Sequence, residues 1–303
     1  MLDLAMLAAL HEKYRDCAAL PVADFALGRH RFAFDEQAYL MGVVNLSPDS
    51  WYRESVALTT EAAIRRGRVL HEQGAAIIDV GAESSLAHAA RVDGPTQESL
   101  LVPVVKELAA AGLCTSAETY DPRVAAACLR AGAQVLNLTG TAHAEEIYRQ
   151  AADFDAGIIL CFVQGENVRE VTELELERDP IEALYEFFAP RIEAATSAGV
   201  SRLWIDPGLG FYYGNLQDSA ARVRRQLHIF LNSFRLRRLG WPICHALPHA
   251  FACFEDEVRV AEPFFAVPAL LGQCSLLRTH EVAKVRGVMR TMRLTGGLKS
   301  GTE

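Results

Sequence analysis

The stretch Leu113-Cys-Thr-Ser-Ala-Glu118-Thr-Tyr-Asp121-Pro122-Arg-Val124-Ala125-Ala-Ala-Cys128-Leu129-Arg-Ala-Gly132-Ala-Gln134-Val-Leu-Asn137-Leu138 reads as one complete strand–helix–strand unit. Leu113–Ala117 and Gln134–Leu138 are short apolar runs of strand length. Between them Asp121 can cap a helix that has Pro122 at its first position. Val124, Ala125, Cys128 and Leu129 supply the apolar stripe, and Gly132 ends the helix. The theme recurs along the chain, with further strand candidates at Tyr39–Val44, Ala76–Val80, Gly157–Phe162, Arg202–Ile205, Pro242–His245 and Ser275–Leu277. Eight strands alternating with helices predict a parallel sheet, and in 303 residues they predict an α/β fold of the closed (β/α)8 TIM-barrel type.

Three pieces flank or interrupt that theme. An N-terminal helix and a hairpin, Phe25–Phe32 turning at Gly28, occupy residues 1–38, and the hairpin is suited to closing the bottom of a barrel. The barrel itself is expected over 39–294, and 295–303 reads as a Gly-rich, polar, flexible tail. A long helix near Leu216–Leu239 is expected to bury Val223, Leu227, Phe230, Leu231 and Phe234. Its other face, with Arg222, Arg224, Arg225, Arg235, Arg237 and Arg238, reads as a solvated or subunit-facing surface.

Composition narrows the partners. The 30 Lys and Arg are outnumbered by 38 Asp and Glu, giving a formal charge of −8, which argues against a dedicated nucleic-acid or anionic-membrane binder. No run approaches the roughly 18 uninterrupted apolar residues of a membrane span, and the N-terminus lacks a signal-peptide pattern. Seven scattered cysteines without a C-x-x-C pair read as free thiols in a cytoplasmic protein. Only Lys13, Lys106, Lys284 and Lys299 are lysines, so a Schiff-base aldolase has no evident nucleophile between strands four and seven.

The chemistry of such a barrel sits at the C-terminal ends of its strands. Read in order, those ends carry Asn45, Asp79 with Glu83, Glu118, Asn137, Asp206, His245 with His249, and Arg278 with His280. Several carboxylates and amides in an apolar cup suit a flat heterocycle rich in N–H donors. A 2-amino-4-oxo pyrimidine edge offers two parallel donors to one carboxylate, which points to a guanine or pterin pocket. Cys244, His245, His249 and Cys253 lie close in sequence but lack a zinc-motif spacing; the blander reading packs both cysteines and leaves His249 as a hydrogen-bond donor.

Met41-Gly-Val-Val-Asn45-Leu-Ser47-Pro-Asp49-Ser50, Ile77-Ile-Asp79-Val-Gly81-Ala-Glu83-Ser84 and Ser116-Ala-Glu118-Thr-Tyr120 resemble dihydropteroate synthase motifs, in the right order. So do Leu136-Asn137-Leu-Thr-Gly140, Ile205-Asp206-Pro-Gly208-Leu-Gly210-Phe211 and Arg278-Thr-His280-Glu-Val282. The resemblance spans about Met41 to Val282. It implies a pterin-binding barrel in which Asp79, Glu118, Asn137, Asp206 and Gly208 form the pterin pocket. It implies catalytic roles for Asn45, Arg278, His280 and His249, with a Mg2+ ion at Asn45 beside the diphosphate of the pterin substrate. Ser47, Asp49 and Ser50 would belong to a mobile loop that closes over the substrates, and a homodimer through the late helices is implied as well.

The departures from the family pattern are specific. The Ser-Arg-Lys-Ser-Phe expected after the seventh strand is Leu247-Pro248-His249-Ala250-Phe251, so the pterin-contacting lysine becomes His249. Unlike a lysine, an unperturbed histidine would titrate near 6.5 and make binding pH-sensitive. The Thr-Arg-Pro-Gly expected after Glu83 is replaced by Ser85-Leu86-Ala87-His88, the usual third-strand aspartate is Glu118, and the acid after Asn137 is Leu138. Two basic side chains, and a serine as well, are thus missing near the second-substrate site, so the carboxylate of 4-aminobenzoate would lose charge-assisted partners, each worth about 1.5–3 kcal/mol. Three readings follow. One is a dihydropteroate synthase-like transferase that uses another arylamine. A second is a methyltetrahydropterin-dependent methyltransferase with a corrinoid or thiol acceptor. The third is a catalytically inactive pterin-binding protein.

Overall fold

The apolar runs form strands, and the stretches between them form the helices that cover them. A computed structural model describes residues 2–49, 55–84, 89–211 and 213–295 of the chain. Strands β1 (Phe25–Leu27) and β2 (His30–Phe32) make a small antiparallel hairpin. The barrel strands are β3 (Tyr39–Asn45), β4 (Ile77–Gly81), β5 (Thr115–Thr119), β6 (Val135–Leu138), β7 (Gly157–Cys161), β8 (Leu203–Asp206), β9 (Cys244–Ala246) and β10 (Leu276–Thr279). Neighbours from β3 to β8 pair in parallel in chain order, and β10 pairs with both β3 and β9. A parallel bridge between Ile205 and Ile243 joins β8 to the segment entering β9, which completes a (β/α)8 barrel.

Burial explains the strand sequences. Both faces of β4 and β7 are covered, by barrel interior and outer helices, so every residue of these two strands is buried. The outer helices start where the sequence signals them. Asp93, Asp121 and Asp179 each cap a helix with proline in its first turn, and Asp121 accepts from the Arg123 and Val124 amides at 2.8 and 3.3 Å. Val124, Ala125, Cys128 and Leu129 are buried, as their spacing requires.

The hairpin fills the bottom of the barrel. Leu27 and Phe32 pack with Met41, Ile77, Val135 and Trp204, and Phe25 meets the Trp204 ring edge-on at 4.6 Å. Gly28 makes the turn at φ +53°, a conformation that L side chains rarely adopt. Arg29 donates to the Gly112 carbonyl at 2.6 Å and ties the hairpin to the barrel. The N-terminal helix Leu4–Lys13, capped by Asp3, buries no residue.

One helix differs from its sequence reading. The α-helix runs only over Ser219–Asn232, then tightens into a 3-10 segment at Ser233–Leu239. The change of period rotates the arginines off a single face. Arg235 and Arg237 are buried, the first on Asp179 (2.7 Å) and Glu182 (2.8 Å), the second on Asp35 and the Leu20 carbonyl. Phe230 and Phe234 are buried as expected, whereas Val223, Leu227 and Leu231 are only partly so. Five of the seven free thiols are buried. Among the described residues, no helix is long and apolar enough to cross a membrane. The last helix runs to Thr295, and the tail beyond it lies outside the described residues.

Candidate active site

The C-terminal ends of β4, β5, β6, β8 and β10 bring Asp79, Glu118, Asn137, Asp206 and Arg278 to one mouth. Asp79 is fully buried, and its carboxylate organises the floor. Its Oδ1 accepts from the Ser116 hydroxyl at 2.6 Å, and its Oδ2 accepts from Asn137 Nδ2 at 3.1 Å and Arg278 Nε at 2.7 Å. Arg278 also donates to Glu118, so one guanidinium spans two carboxylates from different strands. Asn137 in turn accepts from the Cys161 thiol at 3.4 Å.

Asp206 reaches the same floor from the other side. Its Oδ1 accepts from the Gly208 amide at 2.8 Å, closing a tight turn around Pro207. Gly208 sits at φ +70°, and a Cβ there would lie 2.2 Å from the Phe162 carbonyl, so this turn demands glycine.

Three acids, Asp79, Glu118 and Asp206, crowd the floor around one guanidinium, with Glu83 at its border. Burial raises Glu118 to about 7; Arg278 opposes the rise, and the charges of Asp79, Glu83 and Asp206 add to it. Burial likewise raises Asp206 to about 6 against the Gly208 hydrogen bond and Arg278. Both carboxyls therefore titrate nearer neutrality than an ordinary carboxylate.

The wall is built from Asn45, His249 and His280. Asn45 Nδ2 donates to the Ser55 hydroxyl at 2.6 Å and lies 3.4 Å from His280 Nε2. His280 Nδ1 is 2.7 Å from Oε1 of Glu262, a fully buried carboxylate at the start of the helix Ala261–Leu271. His249 Nδ1 is 3.7 Å from the same oxygen. Burial pushes His249 down to about 4, so it is neutral at physiological pH and the titration near 6.5 expected from the sequence does not occur there. Burial also works against the charge of Glu262, yet His280, by charge and hydrogen bond, and His249 hold it down at about 2.

Above floor and wall lies a cleft of about 830 Å³ of empty space, its open mouth included. Its lining includes Asn45, Glu118, His249, Arg278 and His280. Leu209, Phe211, Leu247, Pro248 and Ala250 form its apolar side, and Arg222 enters from the helix Ser219–Asn232. The loop after β3 is tied to the loop after β4. Ser47 is buried and accepts from the Asp49 amide at 3.3 Å, while Asp49 accepts from the Ala90 amide at 3.1 Å. Ser50 and the replaced stretch Ser85–His88 lie outside the described residues.

Not every strand-end residue joins the site. His245 points outward, 2.7 Å from the Ser233 hydroxyl and against the Phe230 ring, and burial lowers it to about 3. Glu83 borders the cleft, but its carboxylate accepts from Tyr120 Oη at 2.6 Å and the Val92 amide at 3.0 Å. Cys244 is buried in the barrel interior and Cys253 is exposed, so the cysteine–histidine run does not gather. The sequence reading missed Glu262, whose only signal is an acid in the first turn of an otherwise apolar helix. It also left Arg222 on the solvated face, whereas Arg222 lines the cleft.

The profile of the family described as pterin binding enzyme matches residues 41–246, about two thirds of the chain. The chain belongs to the pterin-binding enzyme family. Within it, the dihydropteroate synthase of Streptococcus pyogenes serotype M6 is 30% identical over 265 residues, covering 83% of this chain and 93% of that protein. The type-3 dihydropteroate synthase of Escherichia coli is 29% identical over 261 residues, 85% and 99% of the two chains. The Xanthomonas albilineans dihydropteroate synthase solved with 4-aminobenzoic acid superposes with a TM-score of 0.75 at 26% identity, covering 92% of this chain and all of that one. The Burkholderia cenocepacia enzyme solved with 7,8-dihydropteroate shares the fold, with a TM-score of 0.76.

Proposed function

We propose that the cleft binds a 6-hydroxymethyl-dihydropterin diphosphate and transfers its pterin methylene to an arylamine other than ordinary 4-aminobenzoate. The observation that carries this reading is the guanidinium of Arg278 lying on Asp79 and Glu118. A guanidinium presents a flat fork of N–H donors, as the 2-amino-4-oxo pyrimidine edge of a pterin does. A floor that seats the one is built to seat the other, with Asp206, Asn137 and the Gly208 turn completing the pocket. The ring displaces Arg278 toward the diphosphate, where with His280 and the wall it stabilises departing charge. The carbon–oxygen bond to diphosphate breaks, the amine nitrogen bonds to the methylene, and the amine gives up a proton.

Asn45, whose amide N–H is turned to Ser55, offers a hard carbonyl oxygen to magnesium. Asn45, together with oxygens of the substrate and of water, would hold the ion, which would supply charge neutralisation for the leaving group.

Leu247, Pro248 and Ala250 line the acceptor end where the family resemblance expects Ser-Arg, which favours an arylamine without a carboxylate. Arg222 supports a second reading, in which an acidic arylamine pairs with it; the Xanthomonas relative was solved with 4-aminobenzoic acid.

The exposed residues Val260, Phe264, Val267 and Leu271 follow one another at helical spacing along the helix Ala261–Leu271 and the residue before it. This stripe is the surface on which we place the contact of a homodimer. The functional unit is then one barrel, 39–294, with the 1–38 extension beneath it and the 295–303 tail after it.

Calorimetry with a pterin ligand tests the pocket, and no binding by the wild type overturns it. Asp206→Ala is expected to weaken binding by about two to four orders of magnitude. Product analysis with an arylamine panel then separates the acceptors. Condensation with non-carboxylated amines supports the first reading. Condensation confined to acidic amines and lost in Arg222→Ala supports the second. Methyl transfer to a corrinoid or thiol without condensation points to the methyltransferase, and binding without turnover to a pterin-binding protein.

A further inference from the structure

Three ligating side chains from separate elements converge on one wall of the cleft. His249 follows β9, Glu262 opens the helix Ala261–Leu271, and His280 follows β10. One potential ligand atom from each lies within 4.8 Å of the other two. Both imidazoles turn Nδ1 toward the same carboxylate oxygen, Glu262 Oε1, at 2.7 and 3.7 Å. Zinc–nitrogen and zinc–oxygen bonds of about 2.0–2.2 Å put neighbouring tetrahedral ligands roughly 3.4 Å apart. The two separations to Glu262 bracket that value and the ligand atoms of the two histidines lie within 4.8 Å of each other, so modest side-chain shifts admit an ion.

The surroundings hold the carboxylate in a ligand's posture. Its other oxygen, Oε2, accepts from the Thr279 hydroxyl, from the His280 amide at 2.8 Å and from the Glu281 amide at 3.2 Å. Three donors on Oε2 fix the plane of the carboxylate and aim Oε1 at the histidines. Outer-shell anchoring of this kind orients metal ligands. Glu262 is completely buried, whereas both histidines border the cleft. An ion held by the three would therefore keep an open coordination position toward the cleft.

We propose that His249, Glu262 and His280 form a three-ligand site for a divalent transition ion of the zinc class, open to the cleft. Two imidazole nitrogens and one carboxylate oxygen make a borderline donor set, which selects zinc, cobalt or ferrous iron over magnesium or calcium. The site is separate from a magnesium ion at Asn45, which would rely on oxygen donors. His249 and His280 also belong to the wall that the proposed reaction uses, but uptake of the ion itself rests only on the three side chains and their anchors.

The test is titration of the metal-free full-length chain with Co2+ and no pterin present, followed by displacement with Zn2+. One equivalent is expected to bind with the visible absorption of a four- or five-coordinate site, and Zn2+ should abolish that signal. His249→Ala, at the cleft surface, is expected to weaken uptake by about 100-fold or more, and Thr279→Val by about tenfold. His249→Cys should restore binding with a thiolate charge-transfer band, which separates loss of a ligand from loss of fold. Failure to bind one equivalent, a six-coordinate aquo-like spectrum, or His249→Ala binding as well as the wild type would overturn the proposal.

Discussion

Arg278 Nε donates to Asp79 Oδ2 across 2.7 Å, joining the last barrel strand to the second through a guanidinium that lies on the floor of the cleft. The same guanidinium reaches Glu118, so a side chain from the protein occupies the acceptors on which the proposed function seats the pterin ring.

Removing Arg278 should therefore split ligand affinities. A pterin without phosphate is expected to bind Arg278→Met at least as well as the wild type, because it no longer competes with the guanidinium. The diphosphate ester is expected to lose about tenfold or more, since a charge-assisted bond to the leaving group is gone. Calorimetry with both ligands measures this, and equal losses for the two would contradict the competition.

Acidity on the floor gives a second expectation. Folded Glu118 keeps its proton up to about 7, against 4.5 for the ordinary carboxyl, so between those values the folded chain binds more protons than the unfolded one. Its contribution to stability is complete below 4.5 and is lost as pH rises through 7. The unfolding free energy of the wild type relative to Glu118→Gln should fall across that window, with a slope of about 1.4 kcal/mol per pH unit at its steepest. Denaturant titrations at several pH values would show it; a difference that rises with pH would be incompatible.

The barrel bottom should respond independently of the cleft. Phe32 is buried under Trp204 and beside Phe34 and Tyr39. Phe32→Ala is expected to cost about 3–5 kcal/mol of stability. Pterin affinity of the folded fraction should stay within twofold of the wild type. A large change in affinity would mean that the hairpin shapes the cleft.

Phe264→Glu places a charge in the middle of the exposed apolar stripe. If that stripe is the dimer contact, light scattering should show monomers for the variant and dimers for the wild type at the same concentration. A wild type that is monomeric throughout would remove the contact.

All eight barrel strands were legible, the clearest because strands covered on both faces, such as β4 and β7, are largely apolar, and three of the helices begin with aspartate–proline signals. The buried Arg235 and Arg237 were not, because a single helical period was extended across a change to 3-10 geometry. The floor residues follow from strand ends alone, since Asp79, Glu118, Asn137 and Asp206 all end or nearly end their strands. That rule fails at β9, where three residues cannot establish which way His245 faces. Glu262 was invisible for another reason. Its partners lie 13 residues before and 18 after it, and no periodicity relates a helix start to two strand ends.

The hairpin that fills the barrel's underside also constrains the order of assembly. Residues near the start of the chain pack against Trp204, Cys244 and Leu276, so their seat does not exist until nearly all the strands have been synthesised. During translation the β1–β2 pair must wait, its aromatic face uncovered, while the ribosome adds some 250 residues. Long-range closure of this kind slows folding and favours capture by chaperones before the ring shuts. Moving the hairpin to the chain's other end by circular permutation would shorten that wait without altering a single contact in the cleft.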